Sequence, residues 1–463
     1  MISRLPHALM ILGIMLMLGG ALHCVGERPN TEPAPVTAGA EAPPVVLAVT
    51  AAAASQPEPA IAEVDAGAPP PRAPAPLHVE PWPALSALTP RVVGSLRAIA
   101  ARSQREHDNV FAKLGGSSVE SHAFLHCFRS DEVALGEHAH LSETIDFFSQ
   151  GRAAGTSPFT RESLAAHRGW SIRQGLTGRP TRVEQELREI SPRYAFALFG
   201  GNDVQARRPR TFYRHLVSLL DKLERNGVIP ILGSTMPRGD SDEMEGWARR
   251  YDEVSRSIAE SRHLPYMDVH ARAMDLPGQG LAGDGVHPNV LLDGGRSRAC
   301  DFTDTGERYG MNLRNLLAIQ TLDRLRRVLT AGEPPPDADP PARRGDGTLV
   351  APVEIERLPF AEFRTHAMPT TASLEGSSCT PDRTGPLPAR LYRVIVSEPM
   401  RVRAWAFDTD GDSLVIHLLG ADAQPGSCVR ARDDSVFELP VGTWVFAVEA
   451  ADDPEFTFSL TAE

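Results

Sequence analysis

Four short turns carry residue types that together suffice for acyl transfer: Gly115-Gly116-Ser117-Ser118, Gly169-Trp170-Ser171, Gly200-Gly201-Asn202-Asp203 and Asp284-Gly285-Val286-His287. A serine hydroxyl attacks a carbonyl when a base takes its proton, and the base works best when a carboxylate orients it. The oxyanion that develops on the carbonyl needs hydrogen-bond donors. Ser117 can serve as nucleophile, His287 as base and Asp284 as its orienter, with Gly169 and Asn202 as donors. Ser118 is a rival nucleophile, since Gly116-Ser117-Ser118-Val119 also reads Gly-x-Ser-aliphatic. Ser117 is preferred because Gly115 would end a strand and Gly116 would supply a permissive turn position before it. This chemistry requires no metal and no organic cofactor. His122 and His126 lie four apart on an expected helix, a spacing that could hold zinc, but no His-Glu-x-x-His accompanies them and no metal site is assigned. His138 and His140 read as a solvated loop.

Turns hold such groups only if regular elements place them. Val110 to Leu114 is a strand candidate that runs into the first turn. Thr181-Arg182-Val183-Glu184 is a capping box and predicts a helix to about Ile190, followed by a strand from Tyr194 to Phe199. Phe212, Leu216, Leu219, Leu220 and Leu223 recur at helical spacing until Asn226-Gly227, and Val228 to Leu232 is the next strand. Trp247, Tyr251, Val254 and Ile258 mark a further helix, Tyr266 to Val269 a strand, and Leu313 to Val328 a last amphipathic helix. Strands alternating with helices imply a parallel sheet covered on both faces. Sites in such sheets collect outside the carboxyl ends of the strands, where Ser117 and Asn202 fall.

With the four blocks in this order, residues 105 to 330 resemble the SGNH hydrolases, the GDSL-type esterase and lipase family. The resemblance implies a three-layer α/β/α fold of flavodoxin-like type and a serine esterase working through an acyl-enzyme. It also implies an oxyanion hole shared by the Ser117 amide, the Gly169 amide and the Asn202 side chain. One position departs from the pattern: the family's first block reads Gly-Asp-Ser, and Gly116 stands here in place of the aspartate. The loss would loosen the nucleophile turn without deleting base or orienter. A non-catalytic carbohydrate- or ligand-binding protein on the same scaffold, or an acyltransferase, is the alternative reading.

From about residue 350 the helical period gives way to short alternating segments at Leu391–Val396, Val402–Phe407, Leu414–Leu419, Val436–Leu439, Thr443–Val448 and Phe456–Leu460, which predict an all-β sandwich. Tyr392-Arg393-Val394, the aspartate turn and Leu439 to Trp444 resemble a pre-peptidase C-terminal domain, a companion of secreted bacterial enzymes. Asp408, Asp410 and Asp412 read as a hairpin turn, with a surface calcium site as the alternative. Trp405 and Trp444 are expected to be core or half-buried residues, although they could contact polysaccharide.

Composition fits an exported, two-part protein. The 463 residues are 42% hydrophobic and carry 40 prolines, which crowd two stretches that read as linkers. The expected organisation is an export or lipoprotein signal (1–24), a disordered Pro/Ala-rich linker (25–88), a hydrolase domain (89–331), a second linker (332–350) and a β-domain (351–463). Residues 1–24 have a basic start, an apolar run too short to anchor a helix across a bilayer, and small residues before Cys24. Ala21-Leu22-His23-Cys24 resembles a lipobox with His23 out of place, so lipidation at Cys24, giving a lipid anchor to the cell envelope, stands beside plain secretion. The other four cysteines fall as pairs, Cys127 with Cys300 and Cys379 with Cys428, and an oxidising compartment would let each pair bond. A net charge of -12 offers phosphate backbones no general attraction, so nucleic acid is not an expected partner. A small-molecule or polysaccharide ester is.

Overall fold

Local sequence sets most of the elements seen in the computed structural model, which describes residues 75–80, 82–130, 132–366, 388–420, 428–432, 435–450 and 455–463, the side chains of 429–432 excepted. The export segment, Cys24 and Cys379 lie outside these residues. Thr89 caps helix α1 (Pro90–Ala100), accepting a hydrogen bond from the Val92 amide. Strand β1 (His107–Gly115) leads into the one-turn helix α2 (Ser117–Glu120). The Thr181–Glu184 capping box forms as expected: the Thr181 hydroxyl accepts from the Glu184 amide, and the Glu184 carboxylate accepts from the Thr181 amide at 2.7 Å. It opens α3 (Arg182–Ile190). Then follow β2 (Pro192–Leu198), α4 (Pro209–Arg225), β3 (Ile229–Gly233), α5 (Asp242–Ser261), β4 (Tyr266–Met267) and α6 (Gly310–Leu325). Strand β4 is shorter than expected because Asp268 turns the chain and caps the helix Val269–Ala273, its carboxylate accepting from the Ala271 amide.

The four strands pair in parallel, in the order β1-β2-β3-β4. On the other edge of β1 a single parallel bridge, Gly115 to Ala166, takes the place of an edge strand, so the flavodoxin-like order survives with one strand reduced to a contact. Every residue of β2 and β3 is buried, which requires cover on both faces and explains their apolar runs.

The C-terminal part is all-β. Its strands are β5 (Val353–Ile355), β6 (Phe360–His366), β7 (Ala389–Val396), β8 (Met400–Asp408), β9 (Val415–Gly420), β10 (Val429–Arg432), β11 (Ser435–Leu439), β12 (Gly442–Glu449) and β13 (Glu455–Ala462). They form a four-stranded sheet, β6-β13-β8-β11, and a five-stranded sheet, β10-β9-β12-β7-β5. Tyr392 stacks on Phe458 at 4.3 Å and Phe446 meets Phe437 at 5.4 Å, so the two sheets share one core as a sandwich. Asp408 to Asp412 form a tight turn, where the Asp408 carboxylate accepts from the Asp412 amide, but the expected hairpin is corrected: one antiparallel bridge, Phe407 to Ser413, closes the turn, and β8 and β9 then enter different sheets. Trp405 is fully buried, and Trp444 is half-buried with its indole N–H on the Pro440 carbonyl.

The sandwich does not hang free. Trp405 and Phe407 leave its outer face to join the core of the α/β domain, against Tyr213 of α4 and Arg250 of α5. Ser257 and Ser459 share a hydrogen bond of 2.8 Å, as do Tyr213 and Thr457. The end of the expected disordered linker is also packed: His78–Val79 pairs with Arg357–Leu358, Leu77 enters the sandwich core, and Ser86 and Leu88 are buried. Leu77, Val79, Trp82, Leu85 and Leu88 interrupt the Pro/Ala composition there, and all but the exposed Val79 give the segment apolar surface to bury.

Candidate active site

Strand β1 delivers the first block. A Cβ on Gly115 would lie 2.5 Å from the Val119 side chain and 2.8 Å from the Leu198 carbonyl, so only glycine lets α2 fold back at once. Gly116 has φ −97°, an ordinary value, and the expectation of a permissive backbone position is corrected. Its role is one of space: a Cβ there would come within 2.7 Å of Asn202 Nδ2. Asn202 occupies that space and donates to the Trp170 carbonyl at 3.0 Å.

Ser117, the first residue of α2, donates from Oγ to His287 Nε2 at 2.9 Å, and His287 Nδ1 donates to Asp284 Oδ2 at 2.7 Å. The structure thus brings together three residues 170 positions apart in the chain, counted from Ser117 to His287. Ser118 lines the same cavity and makes no hydrogen bond to His287 among the described residues. Asp284 Oδ1 accepts from the Val286 and His287 amides, and these bonds together with the imidazole hold its carboxyl down at about 2. Gly285, at φ +67°, makes the turn possible, and its carbonyl accepts from the Gly239 amide at 2.8 Å.

Gly169 also requires a left-handed backbone, φ +78°, and its amide and that of Ser117 donate to no acceptor among the described residues. The second and third blocks are tied by a residue given no role from sequence. Asp203, buried, accepts from the Ile172 amide at 3.2 Å and the Gly200 amide at 3.2 Å, and burial pushes its carboxyl up to about 6 against those bonds. A second unforeseen group is His270, whose Nδ1 meets Asp252 at 2.8 Å and Nε2 meets Glu245 at 3.0 Å. Burial alone would lower its pKa; the two carboxylates win and raise it to about 10. Glu245 also accepts from the Arg238 amide, next to the Gly239 amide that holds Gly285. In sequence the only signals were an aspartate closing the third block and a histidine just past a strand end.

The site opens on a cavity of about 970 Å³ lined by Ser117, His287, Lys113, His126, Arg161 and neighbours. Its apolar lining among the described residues is limited to Val119, Leu164, Ala166, Pro288 and Met311. His122 and His126 do not share a helix, since α2 ends at Glu120 and a short 3-10 turn begins at His126. Their rings stack at 4.7 Å and 17°, which keeps their in-plane lone pairs from converging on one ion. His138 is not solvated: its ring is 12% exposed and 2.7 Å from Glu307. Beside the site, Cys127 and Cys300 are bonded, tying the nucleophile segment to the base segment; Cys428 is also disulfide-bonded.

Residues 144–291 match the GDSL-like Lipase/Acylhydrolase family. No curated protein matches the chain. Similar solved structures include an acetylxylan esterase from Geobacillus stearothermophilus, 15% identical over 48% of this chain and 96% of that one, with a TM-score of 0.31. A GDSL-like lipase from Bacteroides thetaiotaomicron is 14% identical, covering 50% of this chain and 98% of its own, with a TM-score of 0.30. A two-domain esterase active on acetylated mannans is 13% identical and covers 82% of this chain and 96% of its own, at a TM-score of 0.30.

Proposed function

We propose that this chain, which carries a GDSL-like acylhydrolase domain, is an exported serine esterase that cleaves small acyl groups from polar alcohols. The observation that carries the reading is the continuous Ser117–His287–Asp284 hydrogen-bond relay at the mouth of a large cavity. His287 takes the Ser117 proton as Oγ attacks the ester carbonyl, and Asp284, ionised, holds the imidazole in the tautomer whose Nε2 accepts. The tetrahedral oxyanion falls to the amides of Ser117 and Gly169 and to the second N–H of Asn202. The alcohol leaves with the proton from His287, and water then attacks the acyl-enzyme with His287 again as base.

Most residues lining the cavity carry polar or charged side chains and only five are apolar, which disfavours a long acyl chain, whose burial would need a continuous apolar wall. Two sets of bonded cysteines support export to an oxidising compartment, with Cys24 as the lipidation position in the envelope-anchored form. The hydrolase would occupy residues 89–331 and the sandwich, residues 351–463, would buttress it.

The test is hydrolysis of short-chain and long-chain aryl esters. Ser117→Ala is expected to lower kcat by about 10⁴-fold or more, with short chains preferred in the wild type. Ser118→Ala is expected to stay within a few-fold. Equal activity of Ser117→Ala and wild type would overturn the reading.

A further inference from the structure

One wall of the cavity beside Ser117 is made of basic groups. Lys113, four residues before the nucleophile on β1, is 3% exposed, and its ammonium donates to the Phe159 carbonyl at 3.0 Å. That leaves two of its three N–H donors without an acceptor among the described residues. His126 follows on the same wall, half-buried, with neither ring nitrogen hydrogen-bonded among them, and His122 stacks on it. Buried donors left unpaired are costly, and in a native structure they call for a partner.

The carboxylates near this wall are engaged or turned outward. Glu186 takes the Arg161 guanidinium through two bonds and the Leu164 amide. Glu120 accepts from the Arg168 amide at 2.9 Å, and His167 approaches it at 4.0 Å. Glu162, 81% exposed, lies at the rim 3.4 Å from His122. Glu186 and Glu162 act on Lys113 through space and Glu162 reaches His122, but no carboxylate among the described residues hydrogen-bonds Lys113 or His126.

We propose that Lys113 and His126, with His122 behind them, form a subsite for an anionic substituent on the alcohol portion of the ester, so that the preferred substrate is the acyl ester of an alcohol that carries an anionic group. This rests on the esterase reading. A cavity of about 970 Å³ is at the upper end of those that take a drug-sized molecule, far more than a small acyl group fills. The larger, alcohol portion therefore occupies it and meets the basic wall. Desolvation lowers the Lys113 ammonium to about 7, and burial, then Lys113 and His122, lower His126 to about 4. An arriving anion favours the charged form of both, so binding takes up protons.

The experiment has two arms. In the first, kcat/KM is compared for a mono-O-acetylated methyl galacturonoside, its sulfated galactoside counterpart and the neutral galactoside. The wild type is expected to prefer at least one anionic ester by about tenfold, the worth of one charge-assisted hydrogen bond. Lys113→Met and, should that variant fail to fold, His126→Asn are each expected to shrink that ratio several-fold. A wild-type ratio at or below one, or a ratio untouched by a folded variant, overturns the proposal. The second arm needs no turnover: calorimetry of Ser117→Ala with galacturonate, galactose 6-sulfate and galactose, in buffers of different ionisation enthalpy. Tighter binding of an anionic sugar with proton uptake supports the subsite; equal affinities overturn it. If no ester is cleaved by the wild type, the esterase reading fails and this arm alone decides the subsite.

Discussion

At Gly116 the missing side chain is occupied space. The Asn202 amide sits where a Cβ would project and reaches the Trp170 carbonyl, so the departure from Gly-Asp-Ser is coupled to the third block. Gly116→Ala is expected to displace Asn202 and lower kcat by about 10- to 100-fold with KM changed little, since loss of one oxyanion donor costs on the order of 10² to 10³. A steady-state comparison of the two constants checks it; a change confined to KM would place Asn202 outside the oxyanion site. Asp203→Asn keeps the shape but weakens acceptance from Ile172 and Gly200, and is expected to lower kcat less than Ser117→Ala does. The four blocks were legible because turn residues are local signals, although only the first and third follow strands and the other two lie in loops. Asp203 had no role in that reading, since its partner Ile172 lies 31 positions away, beside a different block.

At the scale of elements, two ties hold the catalytic turns. The disulfide joins positions 173 residues apart. A loop of that length lies toward the upper part of the usual 2–5 kcal/mol range for a native bridge. Cys127→Ala with Cys300→Ala is expected to lower Tm by about 5–15 °C in calorimetry. The second tie is the His270 cation between Asp252 of α5 and Glu245 of α5. Its folded pKa, about 10, lies above the unfolded value of 6.5. The folded chain therefore holds a proton that the unfolded chain releases between those values. This contribution is full below pH 6.5 and is lost as pH rises through about 10, on the order of a few kcal/mol. Urea denaturation at pH 7 and pH 10 should show that decline in the wild type and a flatter profile in His270→Gln. Helix α3 was readable to the residue from its capping box, whereas β4 came out short because Asp268 acts as a cap through a backbone turn that periodicity does not register.

At the scale of the whole molecule, the sandwich packs as part of the α/β domain. Trp405, Phe407 and the Ser459 and Thr457 hydroxyls meet α4 and α5, and residues 77–79 reach back to the sandwich from the N-terminal side. Truncation after Val350 would expose Tyr213 and the α5 face that Trp405 covers, and is expected to give aggregated or markedly less stable protein rather than a free catalytic domain. Size-exclusion chromatography and thermal melting of the truncated chain check this; a monomer with wild-type Tm would show the sandwich to be dispensable.

The sequence by itself determined the period of each main element, the presence of two fold types and the four turns with acyl-transfer chemistry, because helix periodicity, strand alternation and turn glycines act over a few residues. Only the tertiary structure decided that Ser117 rather than Ser118 lies within hydrogen-bond reach of His287 and that Cys127 bonds Cys300. It likewise put Trp405 in the core of the α/β domain. Each of these joins residues separated by many tens of positions. Their approach is set by how sheets and helices pack, which no local pattern encodes.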